Sequence, residues 1–269
     1  MFVPNPVQSL GDQSLTDRKD ADAAVPAAAY HDVTLTNLDG GGFLHGDYAT
    51  VVSETGNLGF GETRRAINNR PQAVRINQLG YDNSFATDHP KNELRFGKGG
   101  VDDAEDGEVI LHEYGHAIHF AQNFSFASEQ AGAISEGFGD YWAVTVGDVV
   151  SRSLGVPARA PLPASPTGRR LLHQHGPALP APGRPGPALP GRPQRRGAPR
   201  RPDLVAALWD IRQALGNVRA DTVVLEGSFD FPGTTMPELA RRTVAAARRL
   251  YGDAAATAVT RAFADRGIL

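Results

Sequence analysis

The sequence predicts an α+β fold, strands first and helices after, and three observations predict it. Residues 1–100 are rich in Gly, Asn, Asp and Thr and carry short alternating runs such as "HDVTLTNL" (31–38) and "AVRINQLGY" (73–81). Alternation between turn residues is the mark of half-buried strands. Residues 101–150 and 203–269 change to helical spacing, with apolar residues three and four apart. Inside the first helical stretch stands "ILHEYGHAIHF" (110–120), whose His-Glu-x-x-His puts two imidazoles one turn apart. Strands and helices in separate blocks give an α+β chain.

The bulk numbers narrow the class. With 269 residues and 41% hydrophobic content, the chain can bury one large domain or two closely packed lobes. A net charge of −3 sets up no global field for nucleic acid. No apolar run is long enough to span a bilayer. Cysteine is absent, which excludes disulfides and thiolate metal sites and leaves the compartment open. The opening "MFVPNPVQSLGDQ" lacks a basic start followed by an apolar stretch, so no signal peptide is visible. Either the protein is cytosolic or its upstream part lies outside this chain.

Taken in order, the elements divide the chain into four. Residues 1–100 form a β-rich N-terminal part. Residues 101–150 open on the acidic "VDDAEDGE", which suits a helix N-terminus, and apolar Val109, Ile110, Ala117, Ile118 and Ala121 surround the His pair. Asp102, Asp103, Asp106 and Glu108 could hold Ca2+ there, the alternative being a solvated acidic helix start. Within 151–202 the composition breaks. The 46 residues 157–202 hold 13 of the 20 prolines and nine arginines, with no Asp, Glu, Val, Ile or aromatic. Such a stretch cannot bury a core and is expected to be disordered or a loose loop. It is Arg-rich but has no aromatic interleaving to stack bases. Residues 203–269 are helical again: "DLVAALWDIRQALG" ends on a Gly, and "MPELARRTVAAARRLYG" repeats that design.

The His pair can ligate one zinc. Positions i and i+4 share a helix face, so His112 and His116 point the same way and Glu113 stands beside the metal as a base. Catalytic zinc needs a third protein ligand. The pattern H-E-x-x-H-x-x-G-x-x-H fails here, because His119 stands at the Gly position and Gln122 at the last His. A Glu from a following helix is the other source, and "AISEGFGDYWA" places Glu136 24 residues after His112. Asp140 follows one turn later, where a carboxylate can accept the outer N–H of a ligating imidazole. The alternative is a solvated polar face, but Ile134, Phe138, Tyr141 and Trp142 around both acids argue for a face against the core. His119, a turn beyond His116, is expected to line the cleft and not to ligate, since a fourth ligand would close the open position.

"EVILHEYGHAI" followed by "GAISEGFGDYW" resembles the thermolysin-like and fungalysin-like zinc metallopeptidases, the gluzincins whose third ligand is a Glu at this spacing. "LARRTVAAARRLYGDAAATAVTRAFADRGIL" is similar to the C-terminal helices of that fold, and "YDNSF" (81–85) falls where the family has an edge strand. The resemblance implies a thermolysin-like zincin: a β-rich N-terminal lobe, a helical C-terminal lobe and the zinc site between them. It implies His112, His116 and Glu136 as Zn2+ ligands, Glu113 as general base, Asp140 behind the ligands and Asn83 as a substrate contact. It further implies a secreted, monomeric endopeptidase acting on peptides or proteins, with neither nucleic acid nor membrane as partner. Zinc would polarise the scissile carbonyl and bring its water to a pKa of about 7. Glu113 would take that water's proton and pass it to the leaving amine.

The chain departs from the family where an oxyanion needs support. A Tyr between the zinc helices aligns with Ala127, beside Phe126, and a later His is missing where the text reads "GAPRRPDLV". His173 and His175 in "LLHQHG" could stand in, or lie on a surface loop. Read one base later, the codons of "GAPRRPDLVA" (197–206) permit the family pattern V-H-x-D-G-R-I-W-S. Part of 151–203 thus reads as translated out of frame, against a genuine Pro/Arg-rich linker, and resequencing that stretch decides between them. The counter-reading of the whole chain is a catalytically impaired zinc-binding remnant. An aminopeptidase gluzincin is a third reading, and would place its Glu where this chain has Ser135.

Overall fold

The computed structural model describes residues 73–79, 83–87, 93–97, 103–153, 155 and 201–269. The expectations for 1–72, for Asp102 and for 156–200, with His173, His175 and most of the reading-frame stretch, lie outside the described residues. Three strands form a small sheet of order β1-β3-β2: β1 (Ala73–Leu79), β2 (Phe85–Thr87) and β3 (Glu93–Gly97). β1 pairs parallel to β3, β2 pairs antiparallel with Ala86 opposite Leu94, and β1 and β2 are the outer strands among the described residues. Leu94 and Phe96, two apart on one face, are fully buried. Glu93 is buried between Arg75 and Arg95, whose guanidinium groups hydrogen-bond it and hold its carboxyl below the ordinary range.

Five α-helices follow among the described residues: α1 (Gly107–Ala121), α2 (Glu129–Ser153), α3 (Arg201–Leu215), α4 (Asn217–Ser228) and α5 (Met236–Asp265). Asp106 caps α1 by accepting from the backbone N–H of Glu108 at 2.8 Å and of Val109 at 3.2 Å. Ser128 caps α2, accepting from Ala131 N at 3.0 Å. Thr235 caps α5, with Pro237 in its first turn. The second C-terminal stretch is not one continuous helix. Gly252 (φ 84°) breaks α5 after Tyr251, a left-handed conformation that glycine adopts without strain.

The core runs from the sheet through the α1–α2 pair to the C-terminal helices, with Phe96, Ile134, Phe138, Trp142, Leu208 and Phe263 fully buried. The α1–α2 loop is stitched to the α4–α5 loop by Ser125 N to Phe231 O and Asp230 N to Gln122 O, each 2.9 Å. The α1–α2 connection is thereby held by the helical C-terminal part. No helix among the described residues is long and apolar enough to cross a membrane.

Candidate metal centre

The site begins with how closely two helices approach. α1 and α2 cross at Gly115 and Gly139: a Cβ on Gly115 would lie 2.9 Å from Gly139 Cα, and one on Gly139 would lie 2.9 Å from the His112 ring. Glycine at both positions lets α2 lie against α1 directly beneath His112. Glu136, one turn before the crossing, then reaches the His pair.

The helix phase does the rest. His112 Nε2 lies 3.5 Å from Glu136 Oε2, and His116 Nε2 lies 3.5 Å from Glu136 Oε1. One donor atom from each of the three residues falls within 4.8 Å of the others, and no other such group of three converges among the described residues. The two rings meet edge to face, 4.9 Å between centroids. Each imidazole is anchored through its other nitrogen. His112 Nδ1 lies 3.0 Å from Asp140 Oδ1, and His116 Nδ1 lies 2.8 Å from Ser135 Oγ. Both Nε2 atoms are therefore turned toward the Glu136 carboxylate, the geometry that ligands to a shared ion require. Two imidazoles and one carboxylate are the donor types that catalytic zinc takes from a protein, and no fourth such donor joins the group among the described residues.

The charges follow from burial and neighbours. Desolvation opposes a charged His112, but hydrogen bonds to Asp140 and Glu136 overcome it and raise its pKa from 6.5 to about 10. Burial, then the charged His112, pushes His116 down to about 4. Burial also opposes ionised Glu136 and Asp140, yet His112 and neighbouring cations hold both below the ordinary carboxylate range. Glu113 goes the other way. Desolvation lifts it from 4.5 to about 7 against the pull of His112, helped by the Glu136 and Asp103 charges. Its Oε2 has no hydrogen-bond partner among the described residues, and the Ala86 backbone N–H of β2 bonds the carboxylate.

Three participants were not singled out in the sequence for this role. Arg201, first residue of α3, donates to Asp140 through Nε (2.6 Å) and Nη2 (2.5 Å) and to Glu136 Oε2 through Nη1 (3.0 Å). It stands in the same stretch of text where an oxyanion-side His is missing, and it brings a fixed positive charge beside the ligand set. Ser135 anchors His116. His119 is the third, and it departs from expectation: it does not line a cleft. Its ring is fully buried, stacked on Phe124 (4.2 Å, 5°) and Phe138 (4.3 Å, 24°), with Nδ1 3.1 Å from Ser135 Oγ. The α1–α2 loop folds Phe124 over it, which helical phase alone does not reveal.

The remaining residues fall as follows. Asn83 is buried two residues before β2, outside the strand itself. Phe126 is exposed and packs against Phe120 and Phe124, and Ala127 is exposed beside it. Neither brings a hydroxyl. The acidic start of α1 is not solvated: Asp103, Asp106 and Glu108 are all buried, Asp106 as helix cap and Asp103 as acceptor from Ser84 Oγ at 2.5 Å. These acids do not converge into a three-ligand group among the described residues, so no calcium site is assigned to them.

No protein-family profile matches the sequence, and no curated protein matches it significantly. Among solved structures, the chain is similar to the precursor of protealysin, a metalloproteinase from Serratia proteamaculans. The two share 15% sequence identity, and the match covers 83% of this chain and 77% of that one at a TM-score of 0.51. At that identity the likeness is one of fold.

Proposed function

We propose that the chain is a zinc-dependent endopeptidase of the thermolysin-like kind, a β-rich lobe and a helical lobe with the site between them. The observation that carries this reading is the convergence of His112, His116 and Glu136 donor atoms within 4.8 Å. The fold likeness to a metalloproteinase precursor supports it.

Bound zinc supplies a Lewis acid that polarises a carbonyl oxygen and acidifies a water. The chain's own residues do the rest. His112, His116 and Glu136 hold the ion, and Asp140 and Ser135 fix the two imidazoles. Glu113 takes a proton from the attacking water and returns it to the leaving amine. Outer strand β2, hydrogen-bonded through Ala86 to Glu113, suits an extended peptide aligned beside it, with Asn83 as a contact to substrate backbone. In this reading the substrates are peptides or proteins, and the protein is a secreted monomer.

One observation favours a second reading, a catalytically impaired zinc-binding remnant. Phe126 and Ala127 supply no oxyanion hydroxyl, and residues 201–269 contain no His. Purified protein should hold about one zinc. It should also cleave casein, with activity abolished by chelator and reduced at least about a hundredfold by Glu113→Gln, which keeps the metal. Zinc with no cleavage selects the remnant, and no zinc removes both readings.

A further inference from the structure

We propose that Ser135 and His119 form a hydrogen-bonded relay behind His116 that fixes the tautomer in which His116 ligates metal. This rests on the zinc reading above, and it concerns residues to which that reading gives no ligand.

The geometry is a three-membered chain. Ser135 Oγ lies 2.8 Å from His116 Nδ1 and 3.1 Å from His119 Nδ1, and it has no other hydrogen-bond partner among the described residues. A hydroxyl carries one proton and can accept others. When His116 ligates through Nε2, its ring proton sits on Nδ1 and is donated to Ser135 Oγ. The hydroxyl proton then has one acceptor in reach, His119 Nδ1, which must therefore be the lone-pair nitrogen. His119 is left with its proton on Nε2, an atom that meets no hydrogen-bond partner among the described residues.

The opposite arrangement is worse. If His119 carried its proton on Nδ1, both imidazoles would donate to Ser135, and the buried hydroxyl proton would have nowhere to go. An unsatisfied buried donor is costly, and the orphaned lone pair left on His119 Nε2 would add a second unsatisfied group. One orphan against two decides the direction of the chain. The His119 ring cannot turn to find another partner, because Phe124 and Phe138 stack on its two faces. Burial keeps it neutral, pushing its pKa well below the ordinary value. His119 is thus a positioning residue. It orients the hydroxyl that orients His116, just as Asp140 orients His112 directly.

The test reads nitrogen protonation and metal affinity. In zinc-loaded wild type, 15N NMR of the imidazoles should show His116 protonated on Nδ1 and His119 protonated on Nε2. This spectrum needs no variant, and a proton on His119 Nδ1 overturns the relay. Zinc affinity is measured by competition against a chromophoric chelator, with circular dichroism to confirm folding. Ser135→Ala should bind zinc roughly 10–100-fold more weakly, the usual cost of losing a residue behind a ligand. His119→Phe keeps the ring stack but removes the acceptor, and should weaken binding a few-fold. The two losses should not add, since both act through one hydroxyl. Folded variants with wild-type affinity overturn the relay and leave the peptidase reading standing. Zinc binding with these shifts but no peptide cleavage removes the peptidase and leaves the relay. Wild type that takes no zinc removes both.

Discussion

Glu113 and His112 are neighbours in sequence whose burial has opposite outcomes. Both are almost fully buried, and desolvation disfavours the charge on each. His112 has Asp140 and Glu136 within reach, so it keeps its proton to about 10. A protonated imidazole cannot ligate, so metal must displace that proton. His116, pushed to about 4, has none to lose near neutrality. At about pH 8, zinc binding should release about one proton, and affinity should rise about tenfold per pH unit until His112 titrates. Calorimetry in buffers of different ionisation enthalpy reads this directly; release of no proton contradicts the assignment. Glu113 gives a stability prediction. Its folded pKa, about 7, lies above the ordinary 4.5. A raised pKa contributes stability that is fully present below the unfolded value and is lost as pH rises through the folded one. Glu113→Gln is neutral throughout and escapes that loss. The metal-free variant should therefore match wild type at about pH 4 and melt several degrees higher at about pH 8, by thermal scans in chelator. A constant difference across that range contradicts the shift.

At the scale of elements, the site depends on two helices lying unusually close. Gly139 is where they touch the ligands: a Cβ there would meet His112 Cε1 and Nδ1 at 2.9 Å and His112 O at 3.0 Å. The backbone carbonyl cannot swing aside, so α2 must shift away from α1. Gly139→Ala should cost about 1–3 kcal/mol of stability, the range for overpacking, and should weaken zinc binding more than its stability loss explains. Wild-type affinity in a destabilised but folded variant would show that Glu136 reaches the His pair without this contact. The grouping of His112, His116, Glu136 and Asp140 could be read from the sequence, because "HEYGH" and "SEGFGD" each encode a helix face in a few adjacent letters, whereas the glycine crossing beneath them could not. What could not be read depends on distant letters or on unremarkable ones. Arg201 meets Glu136 across 65 residues, at the end of a Pro/Arg-rich stretch with no periodicity to place it. Ser135 is a small residue compatible with any helix face, and only the two imidazoles above it give it meaning. Gly252, by contrast, ends its helical run where the terminal glycine of "MPELARRTVAAARRLYG" places the stop.

Across the whole molecule, the C-terminal helices are joined to the candidate metal centre by charge. Within the core, Tyr141 donates to Asp221 of α4, and Arg212 of α3 donates to Thr145 Oγ1 at 2.7 Å and Asp148 Oδ2 at 2.8 Å on α2. Tyr141 directly follows Asp140, so this buried polar network begins where the metal centre ends. Arg201 forms the second connection, from α3 to Glu136 and Asp140. In the metal-free protein Glu113, Glu136 and Asp140 crowd together, balanced by Arg201 and the protonated His112. Zinc adds two positive charges to the same place and displaces one proton. It can therefore take over part of Arg201's electrostatic task but not its bridge between helices. Zinc at a hundred times its dissociation constant should stabilise the wild type by about 2.7 kcal/mol, or about 5–10 °C in Tm. Arg201→Ala should lower Tm in both states and more without metal, so at one fixed zinc concentration the increment on adding zinc should exceed that of wild type. Scans of both proteins, with chelator and with zinc, provide the comparison. Equal increments would mean that Arg201 supports the fold without balancing the ligand charges. A smaller increment in the variant would mean that the guanidinium is needed to hold Glu136 in place for the metal.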